Sequence, residues 1–125
     1  MEKDRKSMQL NERISLLWVV VMVNMIFADI LSFMLPGFFQ SVTIEVTEGI
    51  MLVFAVILEI PIVMIYLSRV LKDKSNRLVN LIASVITIVF IIGGGSLTLH
   101  YIFFAAVELV TLILIINYAL KLTKE

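Results

Sequence analysis

Four long apolar stretches, broken by short polar or glycine-bearing connections, set the rhythm of the chain. They cover residues 14–35, 50–71, 78–96 and 99–120, to within a few residues at each end. Each is close to the ~20 residues a helix needs to cross a bilayer core, where every backbone N–H and C=O must be satisfied within the segment. The pattern predicts an all-α membrane protein: a single domain over residues 1–125 folded as a bundle of four transmembrane helices. Local punctuation agrees. Pro36-Gly37 closes the first span, Thr47 is placed to cap the second, Ser75 or Asn76 the third and Thr98 the fourth. Gly93-Gly94-Gly95 reads as a plain turn after the third span. The connection 36–49 mixes Phe38, Phe39, Val42, Ile44 and Val46 with polar residues and reads as a loop with interfacial aromatics.

The charged residues give these spans an expected orientation. All the basic residues fall at one set of span ends: Lys3, Arg5, Lys6 and Arg13 before the first, Arg69, Lys72, Lys74 and Arg77 around the connection 72–77, and Lys121 and Lys124 after the last. The other two connections carry no Lys or Arg. Because basic residues near span ends are retained on the cytoplasmic side, both termini are expected in the cytoplasm. A bias this one-sided argues against the small multidrug-resistance type of four-span exporter, some of which insert in both orientations.

Composition then excludes several function classes. An apolar share of 61% and a mean hydropathy of +1.07 leave water a secondary solvent for this chain. Lys plus Arg and Asp plus Glu balance at ten each, so no net charge points to nucleic acid. The absence of cysteine removes disulfides, thiolate metal sites and thiol catalysis. No phosphate-binding glycine loop, HExxH or GxSxG is present, and nothing calls for a cofactor. The hydrophilic start MEKDRKSMQLNER, with no small-residue cleavage site after it, does not read as a removable signal peptide.

Candidate chemistry rests on three acids inside the spans: Asp29, Glu59 and Glu108. An acid at mid-membrane costs roughly 2.5–3.5 kcal/mol on insertion scales, so such residues usually face a bundle interior and serve a purpose. No Lys or Arg lies deep enough to pair with them. They are therefore either protonated or compensated by a cation, a basic ligand or water. From the helical rise, Asp29 and Glu108 sit about 9–10 Å inside the outer ends of their spans and Glu59 about 14 Å. Asn24 falls near the depth of Glu59, with His100 and Tyr101 at the outer mouth. These six residues, Asp29, Glu108, Glu59, Asn24, His100 and Tyr101, are expected to line one polar cavity that opens outward.

Helical faces at about 100° per residue refine that expectation. Asp29 shares a stripe with Trp18, Met22, Met25 and Ser32; Glu108 with Tyr101, Ala105 and Thr111; Glu59 with Leu52, Ala55, Val63 and Tyr66. Span three offers Asn80, Ser84, Thr87 and Gly94 at helical spacing. Each polar or small face is expected to turn inward. Trp18, Tyr66, Tyr101 and Tyr118 lie toward span ends and read mostly as interfacial anchors. Pro61, two residues after Glu59, is expected to kink the second span and free the carbonyl of Ile57.

The strings Phe27-Ala28-Asp29-Ile30 with Pro36-Gly37, Ile60-Pro61-Ile62-Val63-Met64-Ile65-Tyr66-Leu67-Ser68, Asn76-Arg77-Leu78-Val79-Asn80, and Tyr101 followed by Glu108 carry a resemblance. In order and spacing they resemble a bacterial family of small four-span membrane proteins of unknown function. The resemblance covers nearly the whole chain and implies a compact four-helix domain in a bacterial cytoplasmic membrane. It brings no activity, substrate or cofactor, and it places more weight on Asp29 and Glu108 than on Glu59 and His100. Four-span DoxX-like and sterol isomerase-like bundles offer an analogy of architecture alone.

Three functions fit these observations. The first is binding or transport of a cation or small protonatable amphiphile in the acidic cavity. The second is an accessory subunit of a larger membrane complex, and the third a membrane isomerase using paired carboxylates on a lipid-soluble substrate. A homodimer is compatible with any of them, and the lipid bilayer is the one partner all require.

Overall fold

The computed structural model describes residues 2–37, 47–93 and 98–122. They form four helices: α1 (Glu2–Phe33), α2 (Glu48–Val70), α3 (Asp73–Gly93) and α4 (Leu99–Lys121). All four are long and apolar enough to cross a membrane, α1 through its portion Met8–Phe33. No strand occurs among the described residues. The aromatic part of the connection after α1, residues 38–46, and the glycines Gly94 and Gly95 lie outside the described residues.

Two boundaries differ from the hydropathy pattern, for physical reasons. α1 begins at Glu2, well ahead of the apolar run, because the stretch before it is rich in Glu, Lys, Arg, Gln and Leu, all strong helix formers. α3 begins at Asp73 instead of being capped by Ser75 or Asn76; Asn76 is already helical, its N–H bonded to the carbonyl of Lys72 at 2.7 Å. Two other signals act as read. Thr47 caps α2 through a bond from the Ile50 N–H to its hydroxyl at 3.2 Å. Gly37 adopts φ 77°, the left-handed conformation that the Pro36-Gly37 turn requires. Thr98 occupies the N-cap position of α4 in extended conformation without a side-chain cap bond. α2 continues through Pro61, which is buried.

The helices close into a ring. α1 packs most extensively, against α4 on one side and α2 on the other, while α3 joins α4 and, through the sparsest contact of the four, α2. Hydrophobic burial cannot drive helices together in lipid, because tails are as apolar as the side chains; small residues and interhelical hydrogen bonds must. The interior shows this. α3 buries Asn76, Asn80, Ala83, Ser84, Thr87 and Ile91 along one face, and α2 buries Pro61, Met64 and Ser68. The large apolar side chains left exposed, such as Phe103, Val89 and Leu52, are those that meet lipid.

A polar network ties three helices together at the end where the basic residues gather. Trp18 is fully buried and donates from its indole to Asn80 Oδ1 at 2.7 Å, spanning the ring from α1 to α3. Ser68 donates to the same oxygen at 3.3 Å. The Asn80 amide donates to the Asn76 carbonyl at 2.9 Å and to the Asn76 side chain. Asn76 in turn donates to the Ser68 carbonyl at 2.8 Å and to Asn11 at 2.9 Å. Ser15 donates to the Ile65 carbonyl at 2.8 Å and accepts from Arg69 Nε at 3.0 Å. Trp18 is thus no interfacial anchor: its indole N–H finds an acceptor in the core. That function is filled nearby by Tyr118, whose ring lies 5.9 Å below the Arg13 guanidinium and 5.4 Å below the Lys121 ammonium. Tyr66, 67% exposed, stays at the surface.

Candidate functional site

The seam between α1 and α4, toward the end of the bundle opposite the basic residues, collects four of the six candidate residues. Ser32 and His100 set the register, their side chains hydrogen-bonded at 2.9 Å across the seam. From that contact, Asp29 lies about 4.5 Å and Glu108 about 12 Å farther into the bundle along their helix axes. The difference is closed by side-chain lean. Cβ atoms tilt toward a helix's N-terminus, and α1 and α4 run in opposite directions, so Asp29 leans inward and Glu108 leans back toward it. The two carboxyls come within electrostatic reach of each other, and Tyr101 within reach of both. The Tyr101 hydroxyl points across to α3, where it donates to the Ile91 carbonyl at 3.4 Å.

Burial separates the two acids. Glu108 is 4% exposed and continues inward into Thr111, Leu112 and Ile115 on the buried face of α4. Asp29 stands at the exposed edge of a stripe in which Trp18, Met25 and Ser32 are buried and Met22 is half-buried. Neither acid has a hydrogen-bond partner among the described residues. Nearby hydroxyls are taken by their own helices: Ser32 donates to the Ala28 carbonyl at 2.9 Å and Thr111 to the Val107 carbonyl at 2.7 Å. Among the described residues the seam therefore holds a buried acid, a second acid at its mouth, a phenol and the His100 imidazole, with no Lys or Arg.

The other two candidates lie elsewhere. Asn24 spends its amide on the Val20 carbonyl of its own helix at 2.7 Å. Glu59 is on α2, on the opposite side of the ring, where it lines a groove of about 360 Å³ between α2 and α3. Its stripe companions Leu52, Ala55, Val63 and Tyr66 are all exposed, so this face of α2 turns toward lipid. The reason is visible in the packing. Pro61, Met64 and Ser68 are what α2 buries, because Ser68 is the residue that meets Asn80 and Asn76. One cavity holding all three acids does not form: the acids divide between the α1–α4 seam and the α2–α3 groove.

Among the described residues no group of three or more His, Asp or Glu side chains gathers closely enough to hold a metal ion. The donor set at the seam, two carboxyls and a phenol, suits protons or a cation with diffuse charge. Sequence reading named Ser32 only as a member of a stripe. Its pairing with His100 was legible from position, since both sit near the same end of their spans.

No curated protein and no solved structure matches the chain. Its four membrane-spanning helices and its whole length, residues 1–125, match one family, and the chain belongs to it: the family of unknown function DUF6326.

Proposed function

We propose that the protein binds a small organic cation, in the simplest case a protonated amine, at the Asp29–Glu108 pair, and that protons take its place when it leaves. The observation that carries this reading is the buried side chain of Glu108, which has no hydrogen-bond partner among the described residues, with a second acid within electrostatic reach and no Lys or Arg at its level in the spans. Two acids this close in a low-dielectric span do not both stay ionised without a counter-cation. Either protons or a ligand must supply the missing charge, and exchange between the two is the chemistry the seam is built for.

Tyr101 offers the cation a ring face and a hydroxyl beside the carboxyls. With the basic end held in the cytoplasm by the bias of Lys and Arg, the Ser32–His100 end of the seam faces outward, across a bacterial cytoplasmic membrane. A ligand would enter there and pass Asp29 before reaching Glu108. Exchange of this kind also provides the coupling a proton-linked transporter needs.

The test uses the purified full chain in lipid nanodiscs with a series of primary alkylamines from methylamine to hexylamine. Amine-dependent thermal stabilisation and proton release into weakly buffered solution are expected, both lost in Glu108→Gln and reduced in Asp29→Asn. Stabilisation and proton release that persist unchanged in both variants would remove the seam from consideration.

A further inference from the structure

We infer that the groove between α2 and α3 is a second binding site, open to the bilayer, for a lipophilic ammonium: a cationic head paired with Glu59 and an alkyl tail lying along the groove. This site is independent of the seam and shares no residue with it.

Glu59 stands at the centre of α2, equally far from Glu48 and Val70, the two ends of that helix. It is exposed at the deepest level of the membrane, where an acid facing hydrocarbon is most costly. Among the described residues it has no hydrogen bond or ion pair. The groove beside it has a volume of about 360 Å³, at the small end of the ~300–1,000 Å³ typical of small-molecule sites. Apart from Glu59, the walls are apolar side chains, among them Val56, Val63, Ile82, Ala83 and Ile86. One charged group in an otherwise apolar trough is the pattern of an amphiphile site: the walls hold the tail and the single polar group fixes the head.

Paired residues of the two helices lie beyond each end of the trough. Toward the far end, Phe54 of α2 and Phe90 of α3 meet edge to face with ring centroids 6.3 Å apart. Toward the basic end, Ser68 and Asn80 are locked in the buried network. The open side is the one facing lipid, so the occupant must come from the bilayer and be soluble in it. Charge complementarity selects its head group. A fatty acid or phosphate would bring like charge to Glu59, and a neutral lipid would leave the acid unanswered, whereas an ammonium supplies the counter-charge that the span lacks.

The experiment uses the full chain in zwitterionic-lipid nanodiscs, the hydrophobic reagent dicyclohexylcarbodiimide, and dodecyltrimethylammonium as probe, with dodecanol as the uncharged control of equal tail. Carbodiimide adducts located by peptide mass spectrometry are expected on Glu59, and dodecyltrimethylammonium but not dodecanol should abolish them. Direct binding of the probe is expected to weaken about tenfold in Glu59→Gln, the loss of one charge-assisted contact. It should weaken as well in Val63→Trp, which narrows the groove from an exposed position and leaves the core alone. The double variant Asp29→Asn/Glu108→Gln should keep the Glu59 protection, which separates failure here from failure at the seam.

Absence of an adduct on Glu59, equal protection by dodecanol, or unchanged probe affinity in Glu59→Gln would each overturn the inference. So would efficient disulfide dimer formation by Val63→Cys in this otherwise cysteine-free chain, undiminished by excess probe, because the groove would then be covered by a second copy.

Discussion

The two ends of this bundle treat buried polarity in opposite ways. At the basic end, Trp18, Asn80, Asn76, Ser68, Ser15 and Asn11 are joined by hydrogen bonds across three helices. At the far end, Glu108 is nearly as buried yet has no hydrogen bond among the described residues, and a second acid, Asp29, lies within electrostatic reach. In a medium without water, a satisfied polar group binds helices together, while an unsatisfied acid is a cost the fold tolerates. The contrast marks the basic end as the source of stability and, on the function proposed above, leaves the far end free for ligand exchange; substitutions at the two ends should therefore differ in sign.

The largest effect is expected at the centre of the network. Asn80→Leu removes the acceptor of Trp18 and Ser68 and a donor to Asn76, stranding buried groups, and should cost about 2 kcal/mol, measured by reversible unfolding in mixed micelles. A stability unchanged by this substitution would end the claim that the basic end is the clamp. Next, and of opposite sign, Glu108→Leu replaces a buried acid that has no hydrogen bond among the described residues and should leave the fold as stable or raise stability by about 1 kcal/mol, while abolishing amine-dependent stabilisation. A loss of 2 kcal/mol or more, on the order expected for a stranded partner, would show Glu108 to be structural.

Two smaller substitutions sharpen the boundary between the ends. Ser32→Ala breaks a hydrogen bond that joins α1 to α4 beside the acids and should cost about 0.6 kcal/mol, the average for an interhelical bond in a membrane. Its larger consequence would be on amine affinity, through the register of the seam. Ser84 lies between the two regions on the buried face of α3, and its hydroxyl is buried without a partner. Ser84→Ala should therefore be neutral or stabilise by about 0.5 kcal/mol in the same unfolding measurement, since it removes an unmet hydrogen bond. A clear loss of stability would reveal that this hydroxyl is bonded in the bilayer, extending the network toward Glu108.

Much of the fold was legible in the chain because the bilayer imposes a one-dimensional rule. A span needs about 20 apolar residues wherever it lies, so the four helices could be read from hydropathy with no knowledge of packing. Caps were less legible. Thr47 acts as one, but Asn76 does not, because its side chain finds better partners in Asn11 and Ser68 than a helical N–H would offer. The site was legible in kind and only partly in place. Asp29, Tyr101, Glu108 and His100 could be put near one end by counting residues, and the α1–α4 seam holds all four. Glu59 could not be separated from them by depth, since depth says nothing about which neighbour a face meets.

What the amino-acid sequence determined by itself was the number of spans, the side on which positive charge gathers, and the presence of acids with no basic partner at their level. All three follow from local composition and from the cost of exposing backbone or charge to hydrocarbon. Only the tertiary structure decided which acids meet. The buried face of α2 is chosen by Ser68 docking on Asn80 and Asn76, and that choice rotates Glu59 out to lipid while leaving Asp29 and Glu108 together across the ring. Hydrogen bonds between two neighbouring helices govern that rotation, and the apolar pattern of α2 by itself does not say which of its faces will meet α3.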